Sequence, residues 1–205
     1  SMVSFFNSLQ RGTRFSEGAS PSFLRTHPIT TERIADIQNR VKQTPYRQIP
    51  DNPDFMFIKS KLRASIGTPQ SAVDEFEGSI KDKRYINEAS ERYGLAIAYM
   101  RKNEFLKARH EVEWLKGNAK KSAIIETLAA KLEVATNQPD QALNQYMRAL
   151  NIYPNYRGLI YGLAEHYLMR NQPEKTVSLI NEKLNLYPED SYFYELLSKA
   201  YAKEG

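Results

Sequence analysis

From about residue 55 onward the apolar positions of this chain recur three or four residues apart, as in Phe55, Ile58 and Leu62. That spacing places side chains on one face of an α-helix rather than on alternate faces of a strand. A longer period lies on top of it. Asn103, Asn137 and Asn171 stand 34 residues apart, and the last two open the same tripeptide, Asn137-Gln138-Pro139 and Asn171-Gln172-Pro173. Five residues after each come Ala108, Ala142 and Thr176, and four further on Val112, Tyr146 and Ile180, one helical turn along the same face. Tyr153-Pro154 and Tyr187-Pro188 close two of the units at the same interval. A fixed period of this length is the mark of stacked helical repeats, each unit covering the apolar face of its neighbour.

The pattern resembles the tetratricopeptide repeat, a 34-residue pair of antiparallel helices in which a large residue, a Leu, a small residue and an aromatic occupy positions 4, 7, 8 and 11 of the first helix. Here these read Arg92, Leu95, Ala96, Tyr99 in one unit and Ile160, Leu163, Ala164, Tyr167 in another. The unit between them reads Glu126, Ala129, Ala130, Glu133, with Glu133 in place of the aromatic. Upstream, Gly67, Ala72 and Phe76 carry the turn, small and aromatic marks, and the 36-residue step from Gly67 to Asn103 implies two extra residues. Downstream, Tyr194, Leu197, Ser198 and Tyr201 begin a fifth unit that stops at Gly205. The expected fold is all-α, a tetratricopeptide superhelix of about four helix pairs plus a C-terminal capping helix. The expected units are 53–88, 89–122, 123–156, 157–190 and the cap 191–205. Lys199, Lys203 and Glu204 should face outward from the cap and close the stack against water.

The resemblance implies a concave face lined by positions 2, 5, 9, 12 and 13 of each first helix. Positions 5 and 9 present Phe57 and Lys61, Tyr93 and Ile97, Thr127 and Lys131, Tyr161 and Glu165, with Arg101 at position 13 of the second unit. Apart from Thr127, these are the candidate partner-binding residues: aromatic and aliphatic side chains among both charge signs, as a peptide groove requires. The family's carboxylate clamp for chaperone C-termini is not matched, because Tyr93 and Ile97 stand where its first Lys and its Asn would be.

The first fifty residues lie outside the repeats. Phe5, Phe6 and Leu9 have helical spacing, and residues 12–22 read as a polar loop. Thr30 is a plausible N-cap with Glu32 in the first turn, and Ile34, Ile37 and Val41 form an apolar stripe ending before Pro45. Pro28 biases His27 towards an extended conformation just ahead of that helix. The run from Ser22 to Ile34, Ser-Phe-Leu-Arg-Thr-His-Pro-Ile-Thr-Thr-Glu-Arg-Ile, follows a Val-Ser-Phe-Phe-Asn-Ser-Leu helix. Together they resemble the closing segment of the zinc metallopeptidase family that includes the CAAX prenyl proteases and HtpX, in its periplasmic branch where tetratricopeptide repeats follow the catalytic domain and serve outer-membrane assembly.

That resemblance implies that residues 1–48 are the end of a peptidase domain and that Ser1 is a cloning remnant. It implies zinc in the full-length protein and none in this fragment, since the His-Glu-x-x-His pair is not in the chain and His27, His110 and His166 do not form it. The fragment is therefore expected to be inactive. Arg33 and His27 map to the neighbourhood of the active site: Arg33 would pair with a ligand carboxylate or stabilise an oxyanion, and His27 would occupy the open zinc position at rest. The expected partners are protein or peptide clients, outer-membrane proteins and their insertion machinery among them, in the Gram-negative periplasm. The alternative reading is a stand-alone tetratricopeptide adaptor without a catalytic half.

Composition narrows these readings. No stretch of the 205 residues approaches the roughly 18 apolar residues of a membrane helix, and the start lacks a basic n-region and cleavage site. The absence of cysteine excludes disulfides, thiol nucleophiles and cysteine-ligated metals. The charge is 29 basic against 24 acidic residues, and residues 1–50 alone contribute seven against three. A nucleic-acid arm would carry dense basic runs interleaved with aromatics. Here the charges are single and spaced, so no nucleic acid is expected as a partner.

Overall fold

The computed structural model describes residues 54–204, Asn52, and the helical positions Ala35, Asn39 and Arg40. Contacts divide the chain into two units, Ser1–Asp51 and Asn52–Gly205. In the second unit the described residues form helices α1 (Phe55–Ser65), α2 (Pro69–Lys81), α3 (Glu88–Arg101), α4 (Phe105–Asn118), α5 (Ala123–Ala135), α6 (Pro139–Ile152), α7 (Arg157–Met169), α8 (Pro173–Leu184) and α9 (Ser191–Glu204). No strand occurs among the described residues. The fold is all-α, consistent with a helical-repeat superhelix.

Packing follows one rule throughout. Each odd-numbered helix packs on the even-numbered helix after it and on the next odd-numbered helix; each even-numbered helix also packs on the odd-numbered helix that follows. The odd-numbered helices thus form one continuous row backed by α2, α4, α6 and α8. That row gives the molecule a face built from one helix of every pair.

The turns explain the Asn period. Asn103, Asn137 and Asn171 have φ of 62°, 56° and 56°, in the left-handed region that Asn tolerates better than most residues. At each, two backbone hydrogen bonds close the end of the odd-numbered helix: Asn103 and Glu104 N–H to Met100 and Tyr99 C=O, Asn137 and Gln138 to Val134 and Glu133, Asn171 and Gln172 to Leu168 and Tyr167. This is the Schellman pattern. Lys83, after α2, adopts the same geometry with φ 53°, its N–H bonded to Ile80 C=O and that of Arg84 to Ser79 C=O. Pro69, Pro139 and Pro173 then open α2, α6 and α8 at a position whose N–H needs no intrahelical partner.

Size complementarity holds successive pairs together. A Cβ on Gly94 would lie 2.3 Å from the Phe76 ring, and one on Gly162 would lie 2.6 Å from that of Tyr146. The same two positions elsewhere are Val112 with Leu128, in one core cluster, and Ile180 with Leu196, in another. A ring meets a glycine, and a shorter aliphatic chain meets a leucine.

Polar ties supplement this packing. Glu133, the residue that departs from the aromatic pattern, accepts two hydrogen bonds from Arg109 on α4, at 2.6 and 2.9 Å. Its counterpart Tyr99 donates to Glu77 on α2. The position therefore reaches the preceding pair either way. Arg63 joins Glu75 and the buried Glu91, each at 2.6 Å, and its guanidinium lies 4.6 Å from the centre of the Phe76 ring. Lys199, Lys203 and Glu204 are all exposed on α9, as their outward placement requires. Lys203 donates to Leu168 C=O at 3.1 Å, compensating the carbonyl end of α7, and Tyr194 and Tyr201 remain 49% and 53% exposed.

Candidate functional site

Tyr93, Ile97 and Arg101 are four residues apart on α3, and so share a face; Thr127 and Lys131 have the same relation on α5. With Lys61 of α1, Met100 and Leu128 they enclose a cleft of about 340 Å³ on the odd-numbered row. Tyr93, Ile97, Met100 and Leu128 supply an apolar lining, while Lys61, Arg101 and Lys131 supply positive charge. None of the lining residues is acidic.

The three cations are not equivalent. Arg101 donates from Nη1 to Ala64 C=O and from Nη2 to Gly67 C=O at 3.0 Å, clamping the end of α1 to α3. Lys203 does the same for α7 from the corresponding position three repeats on. Lys61 and Lys131 are exposed, and their ammonium groups have no hydrogen-bond or ion-pair partner among the described residues. Tyr93 is buried and meets Phe57 edge-on, ring centres 5.3 Å apart. Burial, with smaller contributions from Tyr156 and Asp54, holds its hydroxyl well above the usual tyrosine range. The ring thus presents a neutral surface. Phe57 itself is 8% exposed and lies outside the cleft lining.

Tyr161 borders a different hollow, of about 470 Å³, with Asn155, Tyr156, Arg157, Gly158 and Tyr187. Its hydroxyl donates to Asp190, to which Arg157 also donates at 3.2 Å. Burial and the Asp190 partner push Tyr161 up to about 12. Burial works to raise Asp190, but the donations from Tyr161, Arg157 and the Phe193 and Tyr192 backbones outweigh it and hold the carboxyl below its usual range. Glu165 accepts from the Tyr192 hydroxyl at 2.5 Å. Tyr161 and Glu165 are thus engaged in the α7–α9 packing.

The structure brings Lys61, Tyr93, Ile97, Arg101 and Lys131 together and sets Tyr161 and Glu165 apart. Tyr156, just ahead of α7, lies between the two groups. Its ring packs against the core cluster containing Phe57 and Tyr93 and against that containing Tyr146, crowds Gly158, and its hydroxyl feels the Asp54 carboxylate at the start of α1. Burial first, then Asp54, pushes its hydroxyl up to about 12. The motif positions miss Tyr156 because it precedes the helix. A signal was present: the same register elsewhere holds Glu88, Ser122 and Asp190, all polar.

His27 and Arg33 lie outside the described residues. His110 is exposed, with Nδ1 3.3 Å from the Glu111 carboxylate. His166 is buried at 1% exposure, and neither ring nitrogen makes a hydrogen bond of normal geometry. Burial and then Arg170 lower its pKa, against the backbone of Pro139 and the Asp140 carboxylate. It packs beside Tyr146 as a core residue. Among the described residues no three of His, Asp and Glu are grouped to hold a metal ion, and no helix is long and apolar enough to cross a membrane.

Similarity to known proteins runs along nearly the whole chain. It is 26% identical to the beta-barrel assembly-enhancing protease of Escherichia coli strain K12, over 98% of this chain and 41% of that protein. To the protein of the same name from Yersinia pestis it is 22% identical, over 100% of this chain and 42% of the relative. The chain is thus homologous to this protease while spanning less than half of its relatives' length. No protein-family model matches it.

Proposed function

We propose that this homologue of the beta-barrel assembly-enhancing protease is the protein-binding tetratricopeptide region of a zinc-dependent metalloendopeptidase, recruiting or docking clients in outer-membrane protein assembly and quality control. The observation that carries the reading is the pairing of a 26% identity running along 98% of this chain with a lined cleft on the continuous row of odd-numbered helices. Repeat units at 53–88, 89–122, 123–156 and 157–190, with a cap at 191–205, supply that row. Residues 1–48 are read as the end of the peptidase domain, with His27 and Arg33 beside its active site. Zinc would be held by residues outside this chain, and no catalytic step falls to the described residues. The setting proposed is the periplasm.

The working part of the region is then a surface that holds a client rather than one that cuts it. Ile97 and Thr127 should touch a captured chain, whereas Leu106, 87% exposed on α4, should not. A photo-crosslinking residue placed at Ile97 in a Gram-negative host should yield adducts with outer-membrane β-barrel proteins or their insertion machinery, and the same residue at Leu106 should yield none. Equal adducts at both positions, or none at Ile97, would overturn the reading.

A further inference from the structure

The cleft on α1, α3 and α5 carries two unengaged lysines at its margins and no acidic residue in its lining. Arg101 adds a third positive charge that its two carbonyl partners fix in place. A surface of one sign beside a low-dielectric wall selects ligands of the opposite sign. The lining between the lysines is apolar, formed by Tyr93, Ile97 and Met100 of α3. A tyrosine hydroxyl is neutral near pH 7, and burial holds that of Tyr93 further from ionising, so the ring adds no competing negative charge. The occupant should therefore be acidic at its edges and apolar in its middle.

Spacing makes this more specific. Lys61 and Lys131 sit on helices separated by α3, and packed helices lie about 8–10 Å apart. The two lysine-bearing axes are therefore about 16–20 Å apart, measured along the face. An extended chain advances about 3.3 Å per residue with side chains alternating between its faces, so about six residues cover the interval and leave both end side chains on one face.

Resting on the client-capturing reading above, we propose that this cleft binds an extended peptide segment whose two acidic side chains, six residues apart and so on one face of the chain, meet Lys61 and Lys131 while the apolar side chains between them on that face pack on Tyr93, Ile97 and Met100. The segment is internal to its parent chain: recognition is of side-chain carboxylates, and a free C-terminus is not needed. Each lysine acts as a point charge without imposed bidentate geometry, which suits variable client sequences.

The test uses the whole 205-residue chain and a fluorescein-labelled, amidated probe, Gly-Glu-Ser-Leu-Ser-Phe-Ser-Glu-Gly, beside its twin with both Glu replaced by Gln. Fluorescence anisotropy should show the Glu probe binding more tightly than the Gln probe, with a preference that shrinks as salt is raised. Lys61→Gln and Lys131→Gln should each weaken the Glu probe roughly two- to fivefold, the range of solvent-exposed ion pairs. The double variant should bind the two probes alike, with helicity and melting temperature unchanged. Equal affinity for both probes in the unmodified chain, binding of neither, or a Glu preference that survives in the double variant would each overturn the proposal. Equal binding abolished by Ile97→Asp would leave client capture by this face standing. Absence of binding together with absence of adducts at Ile97 would remove both.

Discussion

Gly94 carries more of the stack's specificity than its size suggests. A single methyl group there would enter the ring of Phe76, which is fully buried and has no free space to move into. Overpacking of this kind costs typically about 1–3 kcal/mol. Gly94→Ala should therefore lower the free energy of unfolding, by up to about 2 kcal/mol once the roughly 1 kcal/mol gained in helix propensity is offset. Combining it with Phe76→Val, which recreates the shorter partner found at Val112, should recover part of the loss. The double-mutant cycle is expected to show coupling of at least about 0.5 kcal/mol, as for residues in direct contact. Additive losses would show that the two side chains do not share one packing constraint. Glu133 makes the same point with charge instead of volume: Arg109 replaces by hydrogen bonds what a ring supplies elsewhere, and its donations hold the Glu133 carboxyl below the usual range.

At the level of the element, the helix ends decide the register. Four of the turns pass through a non-glycine residue in the left-handed region, and three of those residues are Asn. Lys83 has no side-chain feature that favours the conformation, whose cost is about 1–2 kcal/mol for an ordinary residue. Lys83→Gly should raise stability by a few tenths to about 1 kcal/mol, and Asn137→Ala should lower it by about 1 kcal/mol. Thermal melts should read the latter as a fall of about 2–4 °C. A Lys83→Gly variant that melts lower would refute the strain argument. These ends were legible in the sequence because Asn acts through its own backbone, so its mark recurs wherever the turn recurs. The same holds for Pro139 and Pro173. The partners of Glu133 and Lys203 were not legible, since Arg109 and the Leu168 carbonyl lie 24 and 35 residues away and no local period announces them. The candidate site was legible in part for a related reason. Position along an odd-numbered helix placed Tyr93, Ile97 and Lys131 on one face, but whether Arg101 is free or committed to Ala64 and Gly67 depends on α1.

For the array as a whole, the regular pattern of neighbouring contacts would make stability a sum over helix pairs, with the ends opening first. Tyr156 departs from that rule. It belongs to the approach of α7, yet besides the core of α5 to α7 it packs on the cluster that runs from α1 to α5, and its hydroxyl feels Asp54 at the start of α1. Removing its ring in Tyr156→Ala should leave α8 as protected as before in hydrogen exchange, while α1 and α2 exchange measurably faster. Unchanged exchange in α1 and α2 would show that the contact contributes nothing to their protection. The consequence is mechanical. A stack held only by adjacent contacts yields to tension one pair at a time, like a zipper drawn from its end. With the tyrosine in place, a load applied at α1 is shared with α7 before the first pair can peel, so the segment should give way in one larger step rather than several small ones.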